Sequence, residues 1–387
     1  MKTSNILKTS ATLVCLLGAA ALTAMISPSA KPKKPKHVII GYVGGYRGLI
    51  DTAMVDANKL THINYAFVDV KDNRAFLTHR KTDTVNFRVL RNLKKINPDL
   101  KILISIGGWT WSGNFSDAAL TDTSRRAFAK SAAEIVKTYQ LDGVDIDWEY
   151  PNDKGAGNIY RKEDKQNFTL MFEALRAELD DVERATGKKM LLTAAVGGFK
   201  RFIRNTEMDK VQRYLDYVNL MTYDYFQDSL GIAVHHTSLY ASKTYETANY
   251  ADKAVNDFIE AGVPASKLVM GMAFYGRSRK VTDVLHNGLG LKTDGFMRGG
   301  GYTYIKDSLL SKKEYRYYRD SNADAPYIFN ASTKQFISYD DEWSVTQKCN
   351  YVMKKNMAGV MFWEYSDDKK EYLINAVNKV LRQEQHQ

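Results

Sequence analysis

Cysteine is almost missing from this chain of 387 residues, which holds only Cys15 and Cys349. Cys15 lies in an N-terminal apolar stretch that reads as removable, which would leave Cys349 without a partner. No internal disulfide is then possible, and the fold has to rest on its core. Ligand sets for metals are equally thin. His235 and His236 are adjacent, neighbours in sequence rarely chelate one ion, and no third ligand is spaced to help. Gly288-Leu-Gly290 lacks the strand-turn-helix setting of a dinucleotide site, and Gly299 to Gly301 reads as a turn. No GxSxG serine elbow occurs, and Cys349 has no histidine close by in sequence. Neither metal nor cofactor is therefore expected, and serine or cysteine nucleophile chemistry has no motif to carry it. Ser/Pro linkers and Trp-rich binding modules are also lacking, so the chain reads as one domain by itself.

Long apolar runs are scarce as well. The one near the N-terminus, about 11–26, falls short of the roughly 20 residues a membrane span needs. Lys2 and Lys8 precede it, and the small residues Ser27, Ser29 and Ala30 follow, which is the pattern of a secretory signal peptide. Residues 1–30 are therefore read as the signal, and 31–36 (KPKKPK) as a flexible basic tail. Cys15 has no LxGC placement, which argues against a lipoprotein. Without signal and tail, the formal charge of +11 falls to +5 on the body. That is mild for its size, so neither nucleic acid nor a stable membrane anchor is expected. The expected product is a monomer exported to the periplasm or beyond.

What is present is a regular alternation. Strand-like apolar runs occur at 37–46, 60–70, 100–109, 141–150, 189–197, 215–226, 267–275 and 358–365, with helix-like segments between them. Phe128, Ala132, Ile135, Val136 and Tyr139 form one helical stripe, and Phe168, Met171, Phe172, Leu175 and Leu179 another. Val255, Phe258 and Ile259 lead into the helix stop Gly262-Val-Pro264. Eight β-then-α units predict an α/β fold, a (β/α)8 TIM barrel, over 37–279 and 337–387. The last two strand starts are 91 residues apart, some fifty more than a barrel unit needs. The surplus, 280–336, is rich in Gly and Tyr and is too long for a bare loop, so it reads as a small α+β insertion between strands seven and eight.

The run LDGVDIDWEYP, 141–151, carries the chemistry. Strand alternation puts Asp145, Asp147 and Glu149 on one face and Val144, Ile146 and Trp148 on the other. Three acids that close repel one another, so at neutral pH at least one keeps a proton. Asp142 has the opposite parity and reads as structural. Barrel enzymes work at the carboxyl ends of their strands. There the sequence also places Tyr223 and Asp224 (strand six), Tyr275 and Arg277 (strand seven), and Trp363 and Glu364 (strand eight), with Glu364 expected to point outward into a salt bridge.

DGVDIDWEYP resembles the DxxDxDxE signature of the family 18 glycoside hydrolases, the chitinases, with Asp142, Asp145, Asp147 and Glu149 in the four acidic places. SIGGW (105–109), MTYDY (221–225), FYGR (274–277) and FWEY (362–365) extend the likeness over nearly the whole chain after residue 40. The resemblance implies substrate-assisted, retaining cleavage of β-1,4-linked N-acetylglucosamine polymers, with chitin and chitooligosaccharides as partners. It implies Glu149 as general acid and then base, with Asp147 orienting the sugar's acetamide and sharing a proton with Asp145. It also implies Tyr223 on the acetamide carbonyl, Asp224 supporting sugar and acid, and Trp363 as the floor beneath the distorted ring. Tyr42 and Ser105 fall behind the acidic row, where Ser105 is expected to take a hydrogen bond from Asp145. Trp109 falls on the leaving-group side, and Arg277 meets substrate or Asp224. Phe67 and Tyr275 complete the expected substrate contacts, and an insertion between strands seven and eight would wall the cleft.

Overall fold

The computed structural model describes residues 37–225 and 231–383. The expected signal peptide and basic tail lie outside the described residues. All eight expected barrel strands form: β1 (Val38–Gly44), β2 (His62–Lys71), β3 (Lys101–Gly107), β4 (Gly143–Asp147), β5 (Leu191–Gly197), β6 (Tyr217–Met221), β7 (Leu268–Ala273) and β8 (Gly359–Trp363). Each pairs in parallel with the next, and β8 pairs with β1, which closes the barrel.

Helices cover the outside. Helix Asp122–Tyr139 starts at a Thr121/Ser124 capping box, where each side chain binds the other residue's backbone N–H. Its Phe128, Ala132 and Val136 are buried against the sheet, while Ile135 and Tyr139 are only partly covered. Helix Asp164–Thr186 buries Phe168, Met171, Phe172, Leu175 and Leu179. In helix Ala251–Glu260, Val255 and Phe258 face inward, but Ile259 is turned to solvent. Each fully buried Leu, Phe or Met contributes about 1.5–3 kcal/mol. Between strands and helices these side chains form the main core. Cys349 sits in that layer on helix Glu342–Lys354, where burial pushes its thiol pKa up.

The extra sheet reaches further than 280–336. Its five strands are ordered Thr293–Gly301, Tyr275–Val281, Gln335–Ser338, Ala325–Asn330 and Tyr315–Asp320, and all neighbours run antiparallel. Tyr275 and Arg277 therefore belong to this sheet and not to the end of β7. Phe274 lies flat on Phe362 with ring centroids 4.0 Å apart, and there the chain leaves the barrel. The strand pattern continues beyond that point, but its partners change.

Candidate active site

Asp145 shows which way β4 faces. Its carboxylate accepts hydrogen bonds from Tyr42 Oη (2.9 Å, β1), Ser105 Oγ (2.8 Å, β3), Thr193 Oγ1 (2.5 Å, β5) and Asn219 Nδ2 (3.1 Å, β6). Side chains from four other strands can meet it only inside the barrel. Val144, Ile146 and Trp148 consequently point out into the helix layer, and Trp148 stacks on Phe115 at 5.3 Å. Ser105 donates to Asp145, the reverse of the expected direction, because a carboxylate only accepts. Burial raises the Asp145 pKa above the ordinary aspartate value, and the donors from Thr193, Ser105, Tyr42 and Asn219 work against that rise.

Asp147 has no such company. It is buried, and its Oδ1 has no hydrogen-bond partner. Burial, then the charges of Glu149 and Asp145, push its pKa well above the carboxylate range. Its surroundings therefore favour the protonated form far more than those of an ordinary aspartate do. The four donors on Asp145 occupy both its oxygens, and no hydrogen bond joins Asp145 to Asp147 in this structure.

Glu149 stands above them at the carboxyl-end rim. Burial raises its pKa and the Asp224 charge adds to the rise; hydrogen bonding with Tyr150 offsets part of it, and the result is about 7. Its backbone N–H donates to Ser112 Oγ at 2.9 Å, and the same hydroxyl lies 3.0 Å from the Asp147 carbonyl oxygen. Ser112, on the loop after β3, thus fixes the backbone on both sides of Trp148. Glu149 retains 9% of its surface, and the neighbouring Asp224 and Arg277 side chains are 42% and 50% exposed. The acid is sheltered but lies at an open rim.

Asp224 follows β6 with φ +59°, a left-handed conformation that aspartate tolerates better than most residues. It accepts from Tyr275 Oη at 2.6 Å and Arg277 Nε at 2.8 Å, and again from Arg277 Nη2. His236 Nδ1 is 3.4 Å away. Burial alone would raise this acid, but His236 and Arg277 outweigh it and hold Asp224 well below the usual range. The two adjacent histidines have separate tasks, since His235 meets Asp320 and His236 meets Asp224. Tyr223 has its hydroxyl 3.8 Å from Met361 Sδ and its ring edge against Tyr275.

Aromatic rings line the mouth. Trp363 lies near-parallel to Phe67 (5.3 Å, 17°) and to Tyr46 (6.3 Å, 8°), with Tyr42 tilted beside it. Trp109, 53% exposed, stands beyond Glu149 and meets Tyr150 edge-on at 6.4 Å. Every residue expected at the site lies at this rim or on the barrel interior below it. The sequence reading missed Thr193, Asn219, Ser112, Tyr150, His236 and Tyr46. Thr193 had a readable signal, because it is a polar residue inside an otherwise apolar strand and lies in register with Asp145 and Ser105.

Glu364 requires a correction. It is fully buried, not outward, since β8 ends at Trp363 and strand alternation no longer governs the next side chain. It does form a salt bridge, with Arg47. Asp142 is structural: its carboxylate pairs with Lys94 and accepts from the Ile102 backbone N–H at 2.7 Å.

Comparison with known proteins agrees with this geometry. Chitinase A1 of Niallia circulans is 34% identical over 413 residues, covering 90% of this chain, which spans 59% of that protein's length. Chitinase 1 of Aphanocladium album is 33% identical, with 84% of this chain and 80% of the relative covered. The solved structure of a family 18 N-acetylglucosaminidase from Paenibacillus barengoltzii superposes with a TM-score of 0.82 at 41% identity, covering 89% of this chain and 99% of that one. The model of the glycosyl hydrolases family 18 matches residues 38–368, and the chain belongs to that family.

Proposed function

We propose that this protein is a secreted chitinase, a monomer that hydrolyses β-1,4 bonds between N-acetylglucosamine units by a substrate-assisted, retaining route. The observation that carries this reading is Glu149, a sheltered carboxyl at an open rim with its pKa raised to about 7. Near neutrality such a group can give a proton and take one back. The names of the relatives, two chitinases and an N-acetylglucosaminidase, support the substrate class. Export is inferred from the N-terminal sequence alone. No described helix is long and apolar enough to cross a membrane. The monomer reading is supported by one chain supplying every residue of the site, and the sheet from Tyr275 to Ser338 is read as the wall of the cleft.

The steps follow from the residues. Glu149 protonates the glycosidic oxygen as the bond to the anomeric carbon breaks. The sugar's own acetamide oxygen attacks that carbon and forms a cyclic oxazolinium ion. Asp147 turns toward the acetamide N–H and passes its proton to Asp145, so that a carboxylate accepts from the N–H and faces the positive charge that develops there. Tyr223 binds the acetamide oxygen, and Trp363 supports the apolar face of the ring. Glu149, now ionised, takes a proton from water as the water opens the ring, so the configuration is retained.

Defined N-acetylglucosamine oligomers, with products read by mass spectrometry and anomeric NMR, test this. The β-anomer is expected first, and Glu149→Gln is expected to keep binding while losing at least about a hundredfold in turnover. Undiminished cleavage by Glu149→Gln, or an α-anomer as first product, would sink the assignment. The lengths released also separate internal cleavage from release at a chain end.

A further inference from the structure

One buried acid at the rim has no part in the steps above. The Glu364 side chain is 1% exposed, yet it is tied to the loop that follows β1. Tyr46 Oη donates to its Oε2 at 2.8 Å, while Arg47 Nη2 lies 2.5 Å from its Oε1, which also accepts from Ser366 Oγ at 2.6 Å. The approach is close: a Cβ at Gly44 would stand 2.8 Å from the Tyr46 ring and 2.9 Å from Glu364 Oε2.

A buried carboxylate is poor value as a stabiliser, because desolvation offsets most of what its partner returns. What this one does fix is geometry. Tyr46 is 41% exposed, and its ring is held within 8° of Trp363 and 16° of Phe67. The Arg47 guanidinium lies over the same ring at 5.3 Å. These groups come from the β1 and β8 side of the barrel mouth, across from Trp109 and Tyr150 on the β3 and β4 side. Tyr46 stands beside Trp363, so a sugar chain that lies over Trp363 and extends along this side of the mouth meets the Tyr46 ring.

We propose that Glu364 is a positioning residue. By clamping Tyr46 and Arg47 it holds a second stacking ring parallel to Trp363, and this ring sets how firmly a long N-acetylglucosamine chain is gripped beyond the sugar over Trp363. The inference rests on the substrate class proposed above. A flat aromatic face suits the apolar face of a sugar ring, and fixing the ring beforehand removes the entropy of ordering it on binding.

Calorimetric titration in the Glu149→Gln background, with oligomers of two to six units, tests the clamp. Adding Tyr46→Phe keeps the ring and cuts its anchor. Affinity should then fall about fivefold for the hexamer and by far less for the dimer. Adding Glu364→Ala should give a larger loss with the same dependence on length. Because Glu364 is buried that variant can lose its fold, so melting curves accompany it and Tyr46→Phe carries the test alone if it does. An equal loss at every length, or none, overturns the clamp. Parallel digestion by the unsubstituted protein reports on the function: length-graded binding without any cleavage would reject the chitinase reading and leave the clamp standing. No binding at any length would reject both.

Discussion

Arg277 crosses from the insertion sheet to the end of β6 and lies along the Asp224 carboxylate, with Nε 2.8 Å from Oδ1. Asp224 is in turn one of the groups that raise Glu149. The guanidinium partly neutralises the charge that Glu149 feels. Replacing it by an uncharged side chain, as in Arg277→Gln, leaves Asp224 more fully negative toward its neighbour. The sign is then fixed, because a stronger nearby negative charge keeps the general acid protonated to higher pH. The basic limb of the kcat/KM profile should move upward by about half a unit to one unit, a range kept small because this pair is half exposed and screened. A profile that stays put or moves down would show that Arg277 has no electrostatic hold on the acid.

Glu149 also makes stability depend on pH in a predictable direction. Its folded pKa of about 7 lies above the ordinary glutamate value, so between the two the folded protein binds more protons than the unfolded chain. Stability is therefore lost as pH rises through that window and is level above it. Glu149→Gln removes this ionisation. Its advantage over the unsubstituted protein should grow from pH 4.5 to 7 and then flatten, reaching at most about 3 kcal/mol. Urea unfolding at several pH values measures it, and a difference independent of pH would mean that Glu149 is not the titrating group.

The fold was legible in the sequence because strand and helix periodicities are local. LDGVDIDWEYP declared both faces of β4, and the long gap before β8 announced the insertion. What stayed hidden depends on closure of the barrel. Asn219 reaches Asp145 only because β6, two strands away from β4, is curved round to it, and nothing within β6 points to a carboxylate, whereas Thr193 lies on the adjacent β5 in register with Asp145. Tyr46 and Glu364 are 318 residues apart and come together where β8 meets β1. Ser112 lies outside every expected strand, and its task of holding backbone atoms around Trp148 leaves no local pattern. The insertion's edges were misplaced for a related reason, as a strand that changes partners looks the same in sequence as one that keeps them.

Thr193 offers a test of the interior. Its hydroxyl is 2.5 Å from Asp145 Oδ1, and Thr193→Val keeps the side-chain shape while removing this donor. Asp145 is completely buried, so the lost bond cannot be replaced by water without rearrangement. The expected cost is about 1–3 kcal/mol at pH 7, typical of a donor removed from a buried charged acceptor. It should shrink as pH falls into the range where Asp145 is itself protonated. Denaturant midpoints at neutral and acidic pH check both statements, and an unchanged midpoint at pH 7 would mean that this contact is not a working hydrogen bond.

The last residue of β3 sets a harder limit. Gly107 has φ +109°, a region that residues with a Cβ rarely enter, and a Cβ there would stand 2.1 Å from the Asp147 carbonyl oxygen and 2.6 Å from the Phe115 ring. The carbonyl cannot easily yield. It accepts from the Gly108 backbone N–H at 2.7 Å and lies 3.0 Å from Ser112 Oγ, and Phe115 is stacked on Trp148. Gly107→Ala therefore combines backbone strain with displacement of the strand that bears the acids. The expected cost exceeds about 3 kcal/mol, a large part of the margin of an ordinary domain. Melting temperature and soluble yield measure it, while activity per folded molecule separates the two effects. A variant that melts like the parent but turns over slowly would mean that β4 yields to the added methyl. One matching the parent in both would mean that β3 and β4 are less tightly packed than these distances require.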